Sequence, residues 1–193
     1  MVKRIGVLAL QGDFAEHKTA LERAGATAVE VRLPRQLGGL DGLIIPGGES
    51  TTLRKLADMY GLMEPLRAFS RKRPTWGTCA GAIMLAREVV GQEAHLGMMD
   101  ISVQRNAFGR QIDSFVTRLT IEGESYSAVF IRAPLIVSVG SGVDILATLD
   151  DGRIVAAQQG HLLATSFHPE LTDDLGFHRR FLKMIERHDY AQS

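Results

Sequence analysis

Through the first half of the chain, short apolar runs alternate with stretches of helical spacing. Ile5-Gly6-Val7-Leu8-Ala9-Leu10 has no polar break, as expected of a strand covered on both faces in a parallel sheet. Gln11-Gly12-Asp13 ends it. Phe14 to Ala24 then takes up a helical period, with Phe14, Leu21 and Ala24 near one face and Gly25 where a helix C-terminus favours glycine. Thr27 to Leu33 predicts a second strand. After Pro34 and the Gly38-Gly39 loop, Leu43-Ile44-Ile45 predicts a third, which runs into Pro46-Gly47-Gly48-Glu49-Ser50. Ser50 or Thr51 is placed to cap a helix of about Thr52 to Tyr60. A further helix, about Met63 to Lys72, ends in Arg71-Lys72-Arg73, a basic triplet read as solvated cations at a helix C-terminus. Thr75-Trp76-Gly77-Thr78 predicts a fourth strand, and Ala82-Ile83-Met84-Leu85-Ala86-Arg87 a helix beyond it.

These strand–helix alternations predict an α/β doubly wound sheet, because parallel strands need crossover connections of this kind. The second half is β-rich: Asp100 to Gln104, Phe115 to Ile121, Ser127 to Ile131, Ile136 to Val139, Asp144 to Leu149 and Arg153 to Gln158. Asp151-Gly152 between the last two is a hairpin signal. The expected result is a mixed, mostly parallel sheet with an antiparallel extension. Leu162 to Phe167 returns as a buried strand, and Leu175 to Arg187 closes the chain as an amphipathic helix.

At 193 residues the chain is read as a single domain over 1–193, long enough to bury a full core. Lys plus Arg and Asp plus Glu each total 22, which gives no electrostatic case for nucleic acid or an acidic membrane as partner. One cysteine permits no internal disulfide. Met1-Val2-Lys3-Arg4 leads into a strand rather than a signal-peptide core, and no apolar run reaches the roughly 18 residues of a membrane span. A cytoplasmic location is expected.

The lone cysteine sits in Gly77-Thr78-Cys79-Ala80-Gly81, between the predicted strand and helix. A G-x-nucleophile-x-G turn leaves room for a sharp corner that lifts the central side chain above the sheet. A helix N-terminus beside a thiol favours the reactive thiolate. Free cysteine is also among the most buried residue types, so a small apolar residue filling a corner is the competing account. His168-Pro169-Glu170 follows the strand ending at Phe167; if that strand lies beside the one carrying Cys79, His168 can act as base to the thiol while Glu170 orients the imidazole. His17, His95, His161, His178 and His188 show no metal-ligand spacing with the cysteine, so no zinc site is expected. Gly47-Gly48 allows backbone N–H groups to converge on an oxyanion, although glycines also simply make turns. Arg105 and Arg132, each at a strand end, suit a bidentate carboxylate clamp or an ordinary exposed cation.

Together, Gly77-Thr78-Cys79-Ala80-Gly81 and His168-Pro169-Glu170 resemble the class I (triad) glutamine amidotransferases. Leu8-Ala9-Leu10-Gln11-Gly12, Pro46-Gly47-Gly48-Glu49-Ser50-Thr51-Thr52 and Phe130-Ile131-Arg132-Ala133-Pro134 are similar to segments of the glutaminase subunits of pyridoxal 5′-phosphate synthases. The resemblance covers nearly the whole chain, with no departure at the triad; Asp13 falls where variation is expected. It implies a flavodoxin-like three-layer sandwich. It also implies Cys79 as nucleophile, His168 as acid/base, Glu170 as orienter, and Gly47, Gly48, Glu49, Arg105, Ile131 and Arg132 as the glutamine site. The oxyanion would be held by the Ala80 N–H and an N–H of Gly47-Gly48, and Gln11-Gly12 would contact a separate synthase subunit that takes the ammonia. No metal or organic cofactor is implied. A triad glutaminase serving another acceptor would share Cys79 and His168, but Gly-Gly-Glu-Ser-Thr-Thr argues against it. A cysteine hydrolase of the same architecture would lack His-Pro-Glu, and a catalytically silent module would carry an unreactive Cys79.

Overall fold

The computed structural model describes residues 2–105 and 114–192. Its strands are β1 Arg4–Leu8, β2 Thr27–Val31, β3 Gly42–Ile45, β4 Thr75–Thr78, β5 Ala86–Val89, β6 Met99–Gln104, β7 Ser114–Ile121, β8 Glu124–Ile131, β9 Leu135–Val139, β10 Asp144–Thr148, β11 Ile154–Gln159 and β12 Leu162–Thr165. The helices are α1 Phe14–Arg23, α2 Ser50–Met59, α3 Met63–Ser70, α4 Ala80–Leu85 and α5 Gly176–Gln192.

The main sheet runs β2-β1-β3-β4-β12-β11-β9-β6-β5, with β10 also paired to β11. From β2 to β12 every pairing is parallel; the pairings of β11 with β12, β9 and β10 are antiparallel, as is β9 with β6, and β5 with β6 is parallel again. The expected antiparallel extension is therefore present. In addition β7 and β8 form a separate two-stranded sheet. The Asp151-Gly152 turn joins β10 to β11, with Gly152 at φ 85°.

Because successive strand residues point to opposite faces, uninterrupted apolar strands feed two cores at once. Ile5, Val7, Ile44 and Trp76 pack on one face against Leu21 of α1 and Phe177, Phe181 and Ile185 of α5. Leu8, Leu43 and Ile45 pack on the other against Leu53 and Ala57 of α2, Leu66 of α3 and Ile83 and Met84 of α4. This makes the three-layer, flavodoxin-like sandwich. The β7–β8 hairpin contributes Leu119, Ile121, Tyr126, Ala128 and Phe130 to the α1/α5 side. Among the described residues no helix is long and apolar enough to cross a membrane.

Two sequence expectations are corrected. The run Ala82 to Arg87 does not stay helical: α4 ends at Leu85 and Ala86–Val89 forms β5. The carbonyls of Met84 and Leu85 accept from the N–H groups of Leu96 and Met98 at 2.9 and 2.8 Å, so a later segment takes the orphan acceptors that another helical turn would have used. The cap of α2 is Glu49, not Ser50 or Thr51: its carboxylate accepts from the N–H groups of Thr51 and Thr52 at 3.1 and 2.8 Å. Propensity favours the shorter hydroxyl side chains there, but Glu49 alone has the extended backbone of an N-cap and the reach to both donors.

Candidate active site

The site forms at the carboxyl ends of the central strands, where the strand order reverses between β1 and β3, a place where open α/β sheets bind ligands. β4 and β12 pair in parallel with Ala164 opposite Gly77 and Thr165 opposite Thr78. Cys79 therefore leaves the sheet beside the chain that reaches His168 three residues after Thr165, and the Cys79 N–H donates to Thr165 O at 2.8 Å.

Cys79 occupies φ 48°, ψ −105°, a conformation rare for a residue with a Cβ. The corner exists because its flanking glycines permit close backbone approach: a Cβ on Gly77 would strike the Gly81 carbonyl, and one on Gly81 would strike the Ile45 carbonyl. The thiol is buried beside His168, close enough to be among the groups that raise the imidazole's pKa. On the other side of that ring, His168 Nδ1 lies 2.6 Å from Glu170 Oε1. The short 3₁₀ turn over Pro169–Leu171 bends the carboxylate back onto the imidazole. Burial disfavours a charged His168, but its contacts with Asp13, Cys79 and Glu170 outweigh that and carry its pKa well above 6.5. Burial pushes the Glu170 carboxyl up, against the pull of His168.

A cavity of about 410 Å³ lies over these groups, lined among others by Gln11, Gly12, Gly48, Glu49, Cys79, Ala80, Arg105, Ile131, Arg132 and His168. Gly47 belongs to the same place, since a Cβ there would collide with the His168 ring. Every residue singled out from the sequence is thus gathered around one cavity, with Glu170 enclosed behind His168. Arg105 is oriented by Glu49 Oε1 at 2.8 Å and Thr51 Oγ1 at 3.2 Å. Arg132 follows Ile131 at the end of β8 with φ 42°, where the chain turns sharply over the cavity. The Glu49 side chain is committed to the α2 cap and to Arg105, so it shapes the site through its neighbours.

Two residues escaped the sequence reading. Asp13 Oδ2 lies 3.3 Å from His168 Nδ1, which places a second carboxylate beside the imidazole. Its signal was its position directly after a strand end, shared with Gln11 and Gly12. His17, one of the five histidines outside His168-Pro169-Glu170, is fully enclosed, with Ala20 and Leu21 at i+3 and i+4 completing the buried face of α1. The periodicity predicts Phe14, Leu21 and Ala24 near that face. Leu21 holds its place, whereas Phe14 and Ala24 are only half-buried. Ligand atoms of Asp13, His168 and Glu170 lie within 4.8 Å of one another. His168 Nδ1 is already engaged by Glu170, so the trio reads as an acid–base set.

A cysteine on a strained strand–helix corner, a histidine against it and a carboxylate behind the histidine define a triad-type α/β protein. The chain belongs to the SNO glutamine amidotransferase family, whose model matches residues 7–187. It is 57% identical over 194 aligned residues to the pyridoxal 5′-phosphate synthase subunit PdxT of Geobacillus kaustophilus, with 98% of each chain covered. It is also 57% identical to the subunit of the same name from Geobacillus thermodenitrificans, with 95% of each covered. A crystal structure of a glutamine amidotransferase superposes with a TM-score of 0.90 at 51% identity, covering 94% of this chain and 98% of that one.

The cap makes a testable statement about pH. Partial burial pushes the Glu49 carboxyl up, but the donors of Thr51 and Thr52 outweigh it and hold its pKa to about 2. A carboxyl lowered on folding contributes stability above its unfolded pKa of 4.5 and loses it as pH falls towards the folded value. Glu49→Ala is expected to destabilise the chain by about 1 kcal/mol at pH 7 in urea unfolding, as for other lost N-caps. The gap to the parent should narrow below pH 4.5; an equal gap at pH 7 and pH 3 would assign the loss to something other than the ionised cap.

Proposed function

We propose that this chain, as one amidotransferase domain, is the glutaminase subunit of a pyridoxal 5′-phosphate synthase: it hydrolyses L-glutamine to glutamate and ammonia and passes the ammonia to a separate synthase subunit. The observation that carries the reading is the Cys79–His168–Glu170 constellation under a cavity, in a chain 57% identical to a PdxT subunit over its length.

In this reading the Cys79 thiolate attacks the side-chain amide carbon of glutamine, and the C=O electrons move onto oxygen. The oxyanion is held by the Ala80 N–H, the first of α4, and by an N–H of the Gly47-Gly48 turn. His168, protonated by the thiol, gives its proton to the departing nitrogen as the C–N bond breaks, leaving a γ-glutamyl thioester. His168 then takes a proton from water, which attacks the thioester; glutamate leaves and the thiolate returns. Glu170 keeps the Nδ1–H of His168 directed and stabilises the imidazolium. Arg105 and Arg132 clamp the α-carboxylate, and Glu49 holds Arg105 for that task.

The Gln11-Gly12-Asp13 loop supplies a switch between chain and partner. The Asp13 N–H donates to Gly47 O at 3.1 Å, and Gln11 Oε1 accepts from the Glu49 N–H at 2.9 Å. A partner seated on Gln11 and Gly12 therefore pulls on the turn that carries an oxyanion donor. Turning the Gly47-Gly48 peptide breaks one backbone hydrogen bond worth about 1 kcal/mol, within reach of a docking interface.

Cys79→Ala and His168→Asn should each abolish ammonia release while circular dichroism and unfolding stay near those of the parent. Glu170→Gln should cost less than either. Turnover at the parental rate by a folded Cys79→Ala chain would sink the assignment.

Recognition of the distant carboxylate acts alike in ground and transition states, so Arg132→Ala should raise KM for glutamine about 10- to 150-fold and change kcat little. An unchanged KM would remove Arg132 from the site.

Correct placement of one oxyanion donor is worth about 10²- to 10³-fold in kcat. The isolated chain should accordingly turn over glutamine slowly and accelerate by that order when its synthase subunit is added. Equal rates with and without the subunit would defeat the gate and leave the glutaminase assignment standing.

A further inference from the structure

Behind Glu170, away from the cavity, lies a chain of buried polar groups that glutamine hydrolysis as described does not use. Glu170 presents Oε1 to His168, but its other oxygen, Oε2, is enclosed, makes no hydrogen bond and lies 3.4 Å from His17 Nε2. The same His17 nitrogen is 3.0 Å from Thr78 Oγ1, on the residue preceding Cys79. The opposite nitrogen, Nδ1, is 3.0 Å from His178 Nε2 on α5. His17 and His178 are both fully enclosed, and the Trp76 ring packs edge-on against each.

The direction of the protons along this chain follows from its ends. Burial, with the nearby His178 and His168, holds the His17 pKa well below 6.5, and burial alone lowers that of His178 to about 4. Both rings are therefore neutral near pH 7, each with one N–H. His178 Nδ1 has no hydrogen-bond partner. If His17 donated from Nδ1 to His178 Nε2, the only proton of His178 would sit on that partnerless nitrogen, a buried unmade donor costing about 1–3 kcal/mol. In that state His17 would also aim a lone pair at the bare Glu170 oxygen. The reverse arrangement removes both faults: His178 Nε2–H donates to His17 Nδ1, and His17 Nε2–H points between Thr78 Oγ1 and Glu170 Oε2.

We infer that His17, fixed in its Nε2–H tautomer by His178, is a positioning residue that steadies the ionised Glu170 carboxylate and so holds His168 in register with Cys79. The inference rests on the triad reading above and adds to it the residue supporting the carboxylate from behind. A neutral imidazole suits this place. It lends a dipole to the unpartnered half of the anion without cancelling the charge that the His168 imidazolium needs, whereas a cation there would compete with His168 for the carboxylate. The other ionisable groups facing Glu170 are His168 and Asp13, with Glu16 and Arg23 on the rim of a shallow cavity that reaches its outer side.

The test reads Cys79 rather than glutamine turnover, so it stays informative even if the chain proves not to release ammonia. The rate of Cys79 alkylation by iodoacetamide is followed from pH 5 to 9 in the full chain. Removing the His17 donor in His17→Leu should push Glu170 towards its neutral form, weaken the imidazolium and lower the alkylation rate near pH 6.5 about tenfold, which is one pKa unit. His17→Gln, whose amide N–H reaches a similar point, should recover most of the loss. In a Glu170→Gln background, His17→Leu should add less than a twofold change. A merely structural His17 would give equal losses in the Leu and Gln variants and an undiminished loss in that background, and either result overturns the inference. Nitrogen-15 NMR of the parent chain tests it without any substitution: His17 should show the neutral Nε2–H pattern, and an Nδ1–H pattern overturns it.

Discussion

The parallel pairing of β4 with β12 is the constraint on which the site depends. These strands are far apart in sequence, and only their register, with Thr165 against Thr78, brings a cysteine that follows one strand to a histidine that follows the other. Parallel registers are demanding, because a shift by one residue exchanges the faces of a whole strand. Here such a shift would turn Leu163 and Trp76 away from the aromatic core they share with Phe177 and Phe181. The buried Trp76 Nε1–H reinforces the pairing by donating to Thr165 Oγ1 at 3.0 Å. Hydrophobic burial on both faces of the sheet and the placement of the polar chemistry above it are thus set by one alignment.

Strands β1 and β3 were legible because they are buried on both sides, and few arrangements other than a parallel sheet accommodate unbroken runs such as Leu43-Ile44-Ile45. The elbow was legible for a related reason, since Gly77 and Gly81 mark two backbone contacts that no side chain tolerates. Resemblance then decided between the two readings that spacing alone left open for the arginines and the Gly47-Gly48 turn, site groups or ordinary surface features. What escaped were properties carried by contacts distant in sequence. Nothing local says that α4 must stop at Leu85; its last carbonyls are taken by Leu96 and Met98. Nor does any periodicity reveal that Asp13 meets His168, or that His17 meets Thr78 and His178, because each pair lies on elements joined only by the fold.

The β7–β8 hairpin shows how a peripheral element takes part in the centre. Sitting outside the main sheet, it offers the Val129 carbonyl to the His168 N–H at 2.7 Å and carries Ile131 and Arg132 to the cavity rim. Asp174, just before α5, accepts from the Ser127 N–H at 2.8 Å and ties the hairpin to the closing helix. One ribbon therefore fixes both the backbone of the imidazole and the cation above the cavity, so disturbing it moves two parts of the site at once.

Cys79, finally, holds its backbone at a φ of 48°, in a region where only glycine rests without cost. The surrounding sheet, not the residue itself, keeps it there. A chain that gave up the thiol for glycine at this corner would shed that conformational strain, so at this position the pressures of folding and of chemistry point in opposite directions. Selection for stability alone would replace this side chain with glycine and relax the corner.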